Sequence, residues 1–462
     1  MATVSRALDR IKHDLQSHLP DSMILAACAA EQHRWRQRKL GPVITLHLFL
    51  LQILNFNTAI VHLRHLTQTP LNAAAYCKAR MRLPLSVMQR LLQQSAAALR
   101  QELSGQVGDE LTRWRGHRAM LVDGSGTITP DTPGLQKEFG QPGGTRPGCA
   151  LPVPKVLGLF DAMTGLIVQV TAFALMVHES SKLWLLHPFL QAEDLLVGDR
   201  AFCSFAHLAL LRGRQVQALF RMHQSHIVSF APGRKHFNRR KGPGARKQQK
   251  GLPRSKFVAR LGRCDQIVRW IKPEFRTKSP GWMTRQQFQQ LPDELELREV
   301  RYQVPHKGYR THAVTLVTTL LDPVVYPKEA IAELYGMRWR VEINLRHLKT
   351  TLKMRRLKCM TVEGVYKELA AYALVYNLVH AVMARAAAAQ GTTPDRISFV
   401  DVVRWLLGAE ADDLMPIFVV NKRREGRIEP RAVKDYRSRF RGLPCPRKLW
   451  RERQKKKQRG LK

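Results

Sequence analysis

The stretch Tyr335–Lys349, YGMRWRVEINLRHLK, constrains the fold more than any other part of the chain. After Gly336 neither Gly nor Pro occurs until Gly364, so a helix can run without interruption. Tyr335, Arg338, Glu342 and Lys349 follow one another at offsets of 3, 4 and 7 residues. At about 100° per residue they share an arc of roughly 60° on the helix surface. Leu334, Val341, Leu345, Leu348 and Leu352 make a second stripe about 80° round, suited to packing on a sheet. One face therefore belongs to a core, and the adjoining edge presents a carboxylate among cations. Taken alone, Glu and Arg four residues apart also describe an ordinary solvated helix pair.

The chain carries 76 Lys plus Arg against 36 Asp plus Glu, a formal charge of +40 that points to a polyanionic partner, most simply nucleic acid. Structural nucleic-acid binders share that signature, so charge names no activity. Hydrophobic residues make up 44%, enough for a sizeable core, and 462 residues suggest about two to four structural units. Seven scattered cysteines without a Cys-x-x-Cys argue for a reducing cytosol and against disulfide or structural-zinc scaffolds. The amphipathic, mixed-charge start MATVSRALDRIKHDL is no signal peptide. The runs LHLFLLQILNF and AAYALVYNLVHAVMARAAAA are too short or too interrupted to span a bilayer and read as core helices.

Residues 1–116 have helical periodicity: an N-cap region at Asp21-Ser22, a buried helix at 46–54 and a helix opened by Pro84. DNA binding, packing and dimerisation are all open to this domain. From 117 to 220 the pattern becomes strand, hairpin, helix, strand, helix, strand, an α/β arrangement with a mixed sheet. Its hairpin turns at 163–165, and 180–190 reads as helix. Residues 221–312 break the rhythm as a strand-rich basic insertion, with 11 Lys or Arg and no acid between Arg234 and Arg260. A solvated linker has that composition too, but the complete lack of acids favours phosphate contact. Residues 313–420 hold the opening stretch and a second apolar helix from 365 to 388. In the tail, 421–462, 18 basic and 4 acidic residues favour electrostatic contact with DNA.

Two aspartates gain meaning from position. Asp123 follows the apolar run ending LVDGSG, and Asp199 follows LLVGDRAF. Carboxylates at the C-terminal ends of strands lie where open α/β sheets place their sites, although a turn-forming Asp after a strand is common. Gathering these with Glu342 would be costly through mutual repulsion. Mg²⁺ relieves that cost, since it takes carboxylate oxygens and leaves positions for water and phosphate.

At this point the sequence resembles the insertion-sequence-4 family of DDE transposases. The likeness rests on GSG after Asp123, GDRAF around Asp199 and Tyr-x-x-Arg-x-x-x-Glu-x-x-x-x-x-x-Lys over 335–349. It extends to AAAYCKARMRLP at 73–84, QPGGTRPGCALP at 141–152, VTTLLDP at 317–323 and YNLVHAVM at 376–383, most of residues 40–385. The resemblance implies an RNase H-like catalytic core interrupted by a strand-rich insertion after its fifth strand. It implies that Asp123, Asp199 and Glu342 are the catalytic acids and ligands of two Mg²⁺ ions, for which Mn²⁺ substitutes. Tyr335, Arg338 and Lys349 are then contacts to DNA phosphates.

The implied activity is cleavage of double-stranded DNA at the ends of a mobile element, then attack of the freed 3′-hydroxyl on target DNA. A homodimer in the synaptic complex and a cytoplasmic, nucleoid-associated location go with it. A nuclease without strand transfer, or a catalytically silent DNA binder, would share many of these features. Some members carry a Trp on the strand before the signature helix, whereas 313–320 has no aromatic here. Trp270 and Trp282 are the candidates to substitute for it, although each reads first as a core or loop packing residue. His178-Glu179 also resembles the family, in a capping or supporting role.

Overall fold

The computed structural model describes residues 18–408 except 37, 68–71, 109–111, 145, 147, 224–225, 227, 232–253, 276–280 and 304–312, and beyond them 418, 449, 452 and 453. The basic loop from 234 to 253 and nearly all of the tail 421–462 lie outside the described residues.

The first hundred residues build helices α1 (Asp21–Ala30), α2 (Pro42–Leu54), α3 (Ala73–Arg82) and α4 (Leu85–Val107). Their starts follow from local chemistry. Pro42 stands in the first turn of α2 and Pro84 caps α4, positions where a missing N–H costs no helical bond. Asn72 caps α3 by accepting from the Ala75 amide. Pro20, not Asp21, is the cap of α1, and Asp21 sits in its first turn, where the helix dipole favours an acid.

Nine strands follow: β1 (Ala119–Gly126), β2 (Lys155–Asp161), β3 (Ile167–Phe173), β4 (Leu195–Gly198), β5 (Gln217–Arg221), β6 (Arg254–Gly262), β7 (Asp265–Ile271), β8 (Glu294–Gln303) and β9 (Ala313–Thr318). They form one sheet in the order β3-β2-β1-β4-β5-β9-β8-β7-β6. β4 runs parallel to β1 and β5 parallel to β4, and the other neighbours are antiparallel. The strands of 221–312 therefore continue the sheet of the preceding segment. β9 carries them, pairing with β5 along one edge and β8 along the other.

Alternation along β1 sends Ala119 and Leu121 to one face and Met120 and Val122 to the other, each into its own core. On the second face lie α5 (Phe205–Gly213) and the segment 183–190. That segment is 3₁₀, not α, and Pro188 within it forbids a continuous α ladder. On the first face lie α6 (Lys328–Arg346), α7 (Val362–Ala389) and α8 (Phe399–Gly408), together with the N-terminal helices. The leucine stripe that starts on α6 and runs past its end is wholly buried, with Leu334, Val341 and Leu352 fully inaccessible. α7 is long and apolar enough to cross a membrane by length and composition, yet 94% of its most apolar window is buried inside the molecule. It is the core helix on this face. The six described cysteines are free thiols.

Candidate active site

The sheet register puts two acids side by side. Val122 on β1 pairs with Gly198 on the parallel β4, so Asp123 and Asp199 are the next residues on adjacent strands. β4 stops there, but β1 does not: it runs on to Gly126, with Asp123 opposite Gly158 of β2. Asp123 thus marks the point where β1 outruns its neighbour, not the end of its strand. A Cβ at Gly198 would lie 3.1 Å from the rings of Phe202 and Phe220, so a side chain there would need those rings to give way by a few tenths of an ångström. Phe202 is buried and its amide donates to the Asp199 carbonyl at 3.0 Å, which folds GDRAF into a tight turn beneath the carboxylate.

α6 reaches the same place from above. The Tyr335 hydroxyl lies 3.3 Å from Asp199 Oδ1. Arg338 Nη1 stands 3.7 Å from Asp123 Oδ2 and 3.6 Å from Glu342 Oε1, so one guanidinium draws those two carboxylates together. Tyr335 and Arg338 are buried, while the Glu342 side chain is 48% exposed. Lys349 lies beyond the α-helix, on a π turn spanning His347–Thr351, and its Nζ meets Ser125 Oγ at 2.8 Å. The wider turn changes the helical phase there, as π turns do at functional positions. Among the described residues no three acid, His or Cys side chains stand close enough to hold a metal ion. Asp123, Asp199 and Glu342 offer hard carboxylate oxygens, the donor type that suits Mg²⁺.

Burial pushes the Asp123 carboxyl up to about 6. Glu342 and Glu179 add to the rise, opposed by the Gly124 N–H and Arg338. Burial likewise raises the Tyr335 phenol, so it stays a protonated donor toward Asp199. Burial would lower Arg338, but Tyr335, Asp199, Asp123 and Glu342 outweigh it and hold the guanidinium charged. A carboxyl raised from 3.8 to about 6 costs stability once ionised. The cost is absent below pH 3.8 and complete above about 6. Asp123→Asn should therefore stabilise the metal-free protein at pH 8 by up to about 3 kcal/mol and at pH 4 by almost nothing. Urea unfolding at both values measures it, and equal gains would refute the assignment of cause.

Glu179 takes a part that its sequence context did not specify. Its carboxylate lies over the Cα of Gly124, where an added Cβ would stand 2.8 Å from Glu179 Cδ. The 3₁₀ turn that carries it is capped by His178 and anchored by His207 Nε2 at 2.6 Å from the Ser180 carbonyl oxygen. The bare Gly124 in the GSG after Asp123 was the available signal. Trp270 is fully buried and donates to Glu299 Oε1 at 3.2 Å, and Trp282 stacks on His207. Both are packing residues.

The protein is thus a mixed-sheet α/β protein in which Asp123 and Asp199 follow one register pair of adjacent parallel strands, and the helix-borne Glu342 shares Arg338 with Asp123. The family model described as "Transposase DDE domain" matches residues 114–378, and the chain belongs to that family. It is 27% identical over 297 residues to the transposase InsG for insertion sequence element IS4 of Escherichia coli (strain K12). That match covers 62% of this chain and 57% of InsG, so the chain spans somewhat over half the length of this relative. Among solved structures, the piggyBac transposase synaptic complex with hairpin DNA aligns over 86% of this chain and 79% of that one. Its TM-score of 0.39 and 10% identity are too distant to define the fold.

Proposed function

We propose that the protein is a DNA transposase that cleaves the ends of a mobile element and joins their 3′-hydroxyls to target DNA. The observation that carries this reading is the convergence of Tyr335, Arg338 and Glu342 from one helix on Asp123 and Asp199, which directly follow the Val122–Gly198 pair of two adjacent parallel strands. The sheet order β3-β2-β1-β4-β5, antiparallel then parallel, supports an RNase H-like core. Asp123, Asp199 and Glu342 would hold two Mg²⁺ ions, or Mn²⁺ in their place. Bound there, such ions activate the attacking oxygen and stabilise the leaving one. Arg338 Nη1 lies between Asp123 and Glu342, which sets a guanidinium where a phosphate held by those acids would lie. Tyr335 fixes Asp199 through its hydroxyl. Lys349 adds a cation beside Ser125 on the far side of Asp123.

The substrate is double-stranded DNA, and two element ends held together call for a homodimer in the synaptic complex. The charge of +40 fits a partner of that kind. The test incubates purified protein and Mg²⁺ with duplexes bearing the terminal repeats that flank its gene, plus a target plasmid. Cleavage at the repeat boundary and joined products are expected. Cutting without joined products would make the protein a nuclease, and binding without cutting would reduce it to a DNA-binding protein.

A further inference from the structure

Glu179 reaches the candidate acids from an element that carries none of the others, the 3₁₀ turn between β3 and β4. The backbone of Gly124 separates it from Asp123. The Gly124 N–H donates to Asp123 Oδ1 at 2.8 Å, and the Glu179 carboxylate lies over the Gly124 Cα. The two carboxylates repel each other across that residue. Arg338 Nη1 serves Asp123 Oδ2 and Glu342, whereas among the described residues no donor or cation meets the Glu179 carboxylate. The turn itself is held firmly. His178 caps it by accepting from the Ser180 N–H, Lys155 Nζ donates to the Val177 carbonyl at 2.9 Å, and the fully buried His207 holds the Ser180 carbonyl. Glu179 is thus kept beside Asp123 with only its own side-chain torsions left open.

A half-buried carboxylate without a donor, next to a second carboxylate, raises the energy of the metal-free protein. A hard divalent cation removes that cost by taking oxygens from both. Among the described residues no three acid, His or Cys side chains already close on one point, so an entering cation must draw side chains inward. Glu179 moves at little cost, because it has no hydrogen bond to give up. Bare Gly124 leaves the way open, since a Cβ there would stand 2.8 Å from Glu179 Cδ and 2.9 Å from Oε1. We propose that Glu179 is a fourth acid of the metal site, sharing a divalent cation with Asp123, and that Gly124 lacks a side chain to admit it. The inference rests on the transposase reading for Asp123 as a metal ligand.

The experiment titrates Mn²⁺ into the full chain without DNA and counts the free ion by electron paramagnetic resonance. Glu179→Gln keeps the shape of the side chain and removes its charge, and it should weaken Mn²⁺ binding about tenfold. Gly124→Ala keeps every acid, but its methyl pushes Glu179 away, and a similar loss is expected. Glu179→Asp keeps the charge and should recover part of the affinity. Thermal unfolding without metal separates this from a structural role: Glu179→Gln should melt no lower than the wild type, because a repulsion has gone. Wild-type Mn²⁺ affinity in Glu179→Gln overturns the proposal, and wild-type affinity in Gly124→Ala overturns the part given to the glycine. Asp123→Asn is the control for the reading beneath it. If Asp123→Asn loses Mn²⁺ and Glu179→Gln does not, the fourth acid falls and the transposase reading stands. If both bind less in a protein that never cuts element ends, Glu179 is upheld and the transposase reading falls. A wild type that takes up no Mn²⁺ overturns both.

Discussion

Glu342→Gln is expected to abolish DNA cleavage and strand transfer while the protein stays folded and still binds element ends. The exchange keeps the side chain's size and removes one anionic donor. Loss of metal-borne charge stabilisation worth several kcal/mol lowers the rate on the order of a thousandfold or more. Folding should tolerate the change, because the Glu342 side chain is 48% exposed, its link to the buried Arg338 is long at 3.6 Å, and Asp123 still compensates that guanidinium. Binding should persist or tighten slightly, since Arg338 loses a competing anion and remains beside Asp123 at 3.7 Å. The readouts are cleaved and joined products on gels, thermal unfolding, and gel-shift affinity for element ends. Cleavage at the wild-type rate would remove Glu342 from the metal site. Lost cleavage together with lost folding would say nothing for catalysis, so the unfolding curve decides which reading stands.

The site was legible to the extent that it is written in local spacing. Tyr335, Arg338 and Glu342 are set by helical periodicity, and the burial of Leu334, Val341, Leu345, Leu348 and Leu352 follows from the same arithmetic. Lys349 was placed by that arithmetic on an α-helix, but a π turn carries it instead, because i→i+5 bonding has no marker in a run without Gly or Pro. The pairing of Asp123 with Asp199 depends on register between strands more than 70 residues apart, which no local pattern encodes. The same holds for the insertion strands. Their alternation identifies β6, β7 and β8, but only the pairing of β9 on both edges makes one sheet of nine. The place of Glu179 over Gly124 is likewise a long-range contact.

Least legible of all was Glu368, an acid in the apolar α7 that is 1% exposed, and its removal should have the largest effect on stability. Its carboxylate accepts from the Lys358 amide at 2.9 and 3.0 Å, the Cys359 amide at 2.8 Å and Asn57 Nδ2 at 2.6 Å. Asn57 follows α2, while Lys358 and Cys359 follow the π turn after α6, so one side chain ties the N-terminal helices to the arm of the signature helix. Arg80 on α3 extends the tie, with Nη2 at 2.8 Å from Cys359 Sγ and Nη1 at 2.9 Å from Gln52 Oε1. Glu368→Ala leaves three donors without their acceptor, one buried and two part-buried, and a buried group so stranded costs about 1–3 kcal/mol. It also leaves the largely buried Arg80 charge short of an anion. A loss of roughly 3–5 kcal/mol is expected. Glu368→Gln should recover only part of it, since its amide would turn a donor toward backbone N–H groups that need acceptors. Guanidinium unfolding of both variants measures the effect. If Glu368→Ala costs less than about 1 kcal/mol, water must satisfy those donors, and the N-terminal helices are held by apolar packing alone.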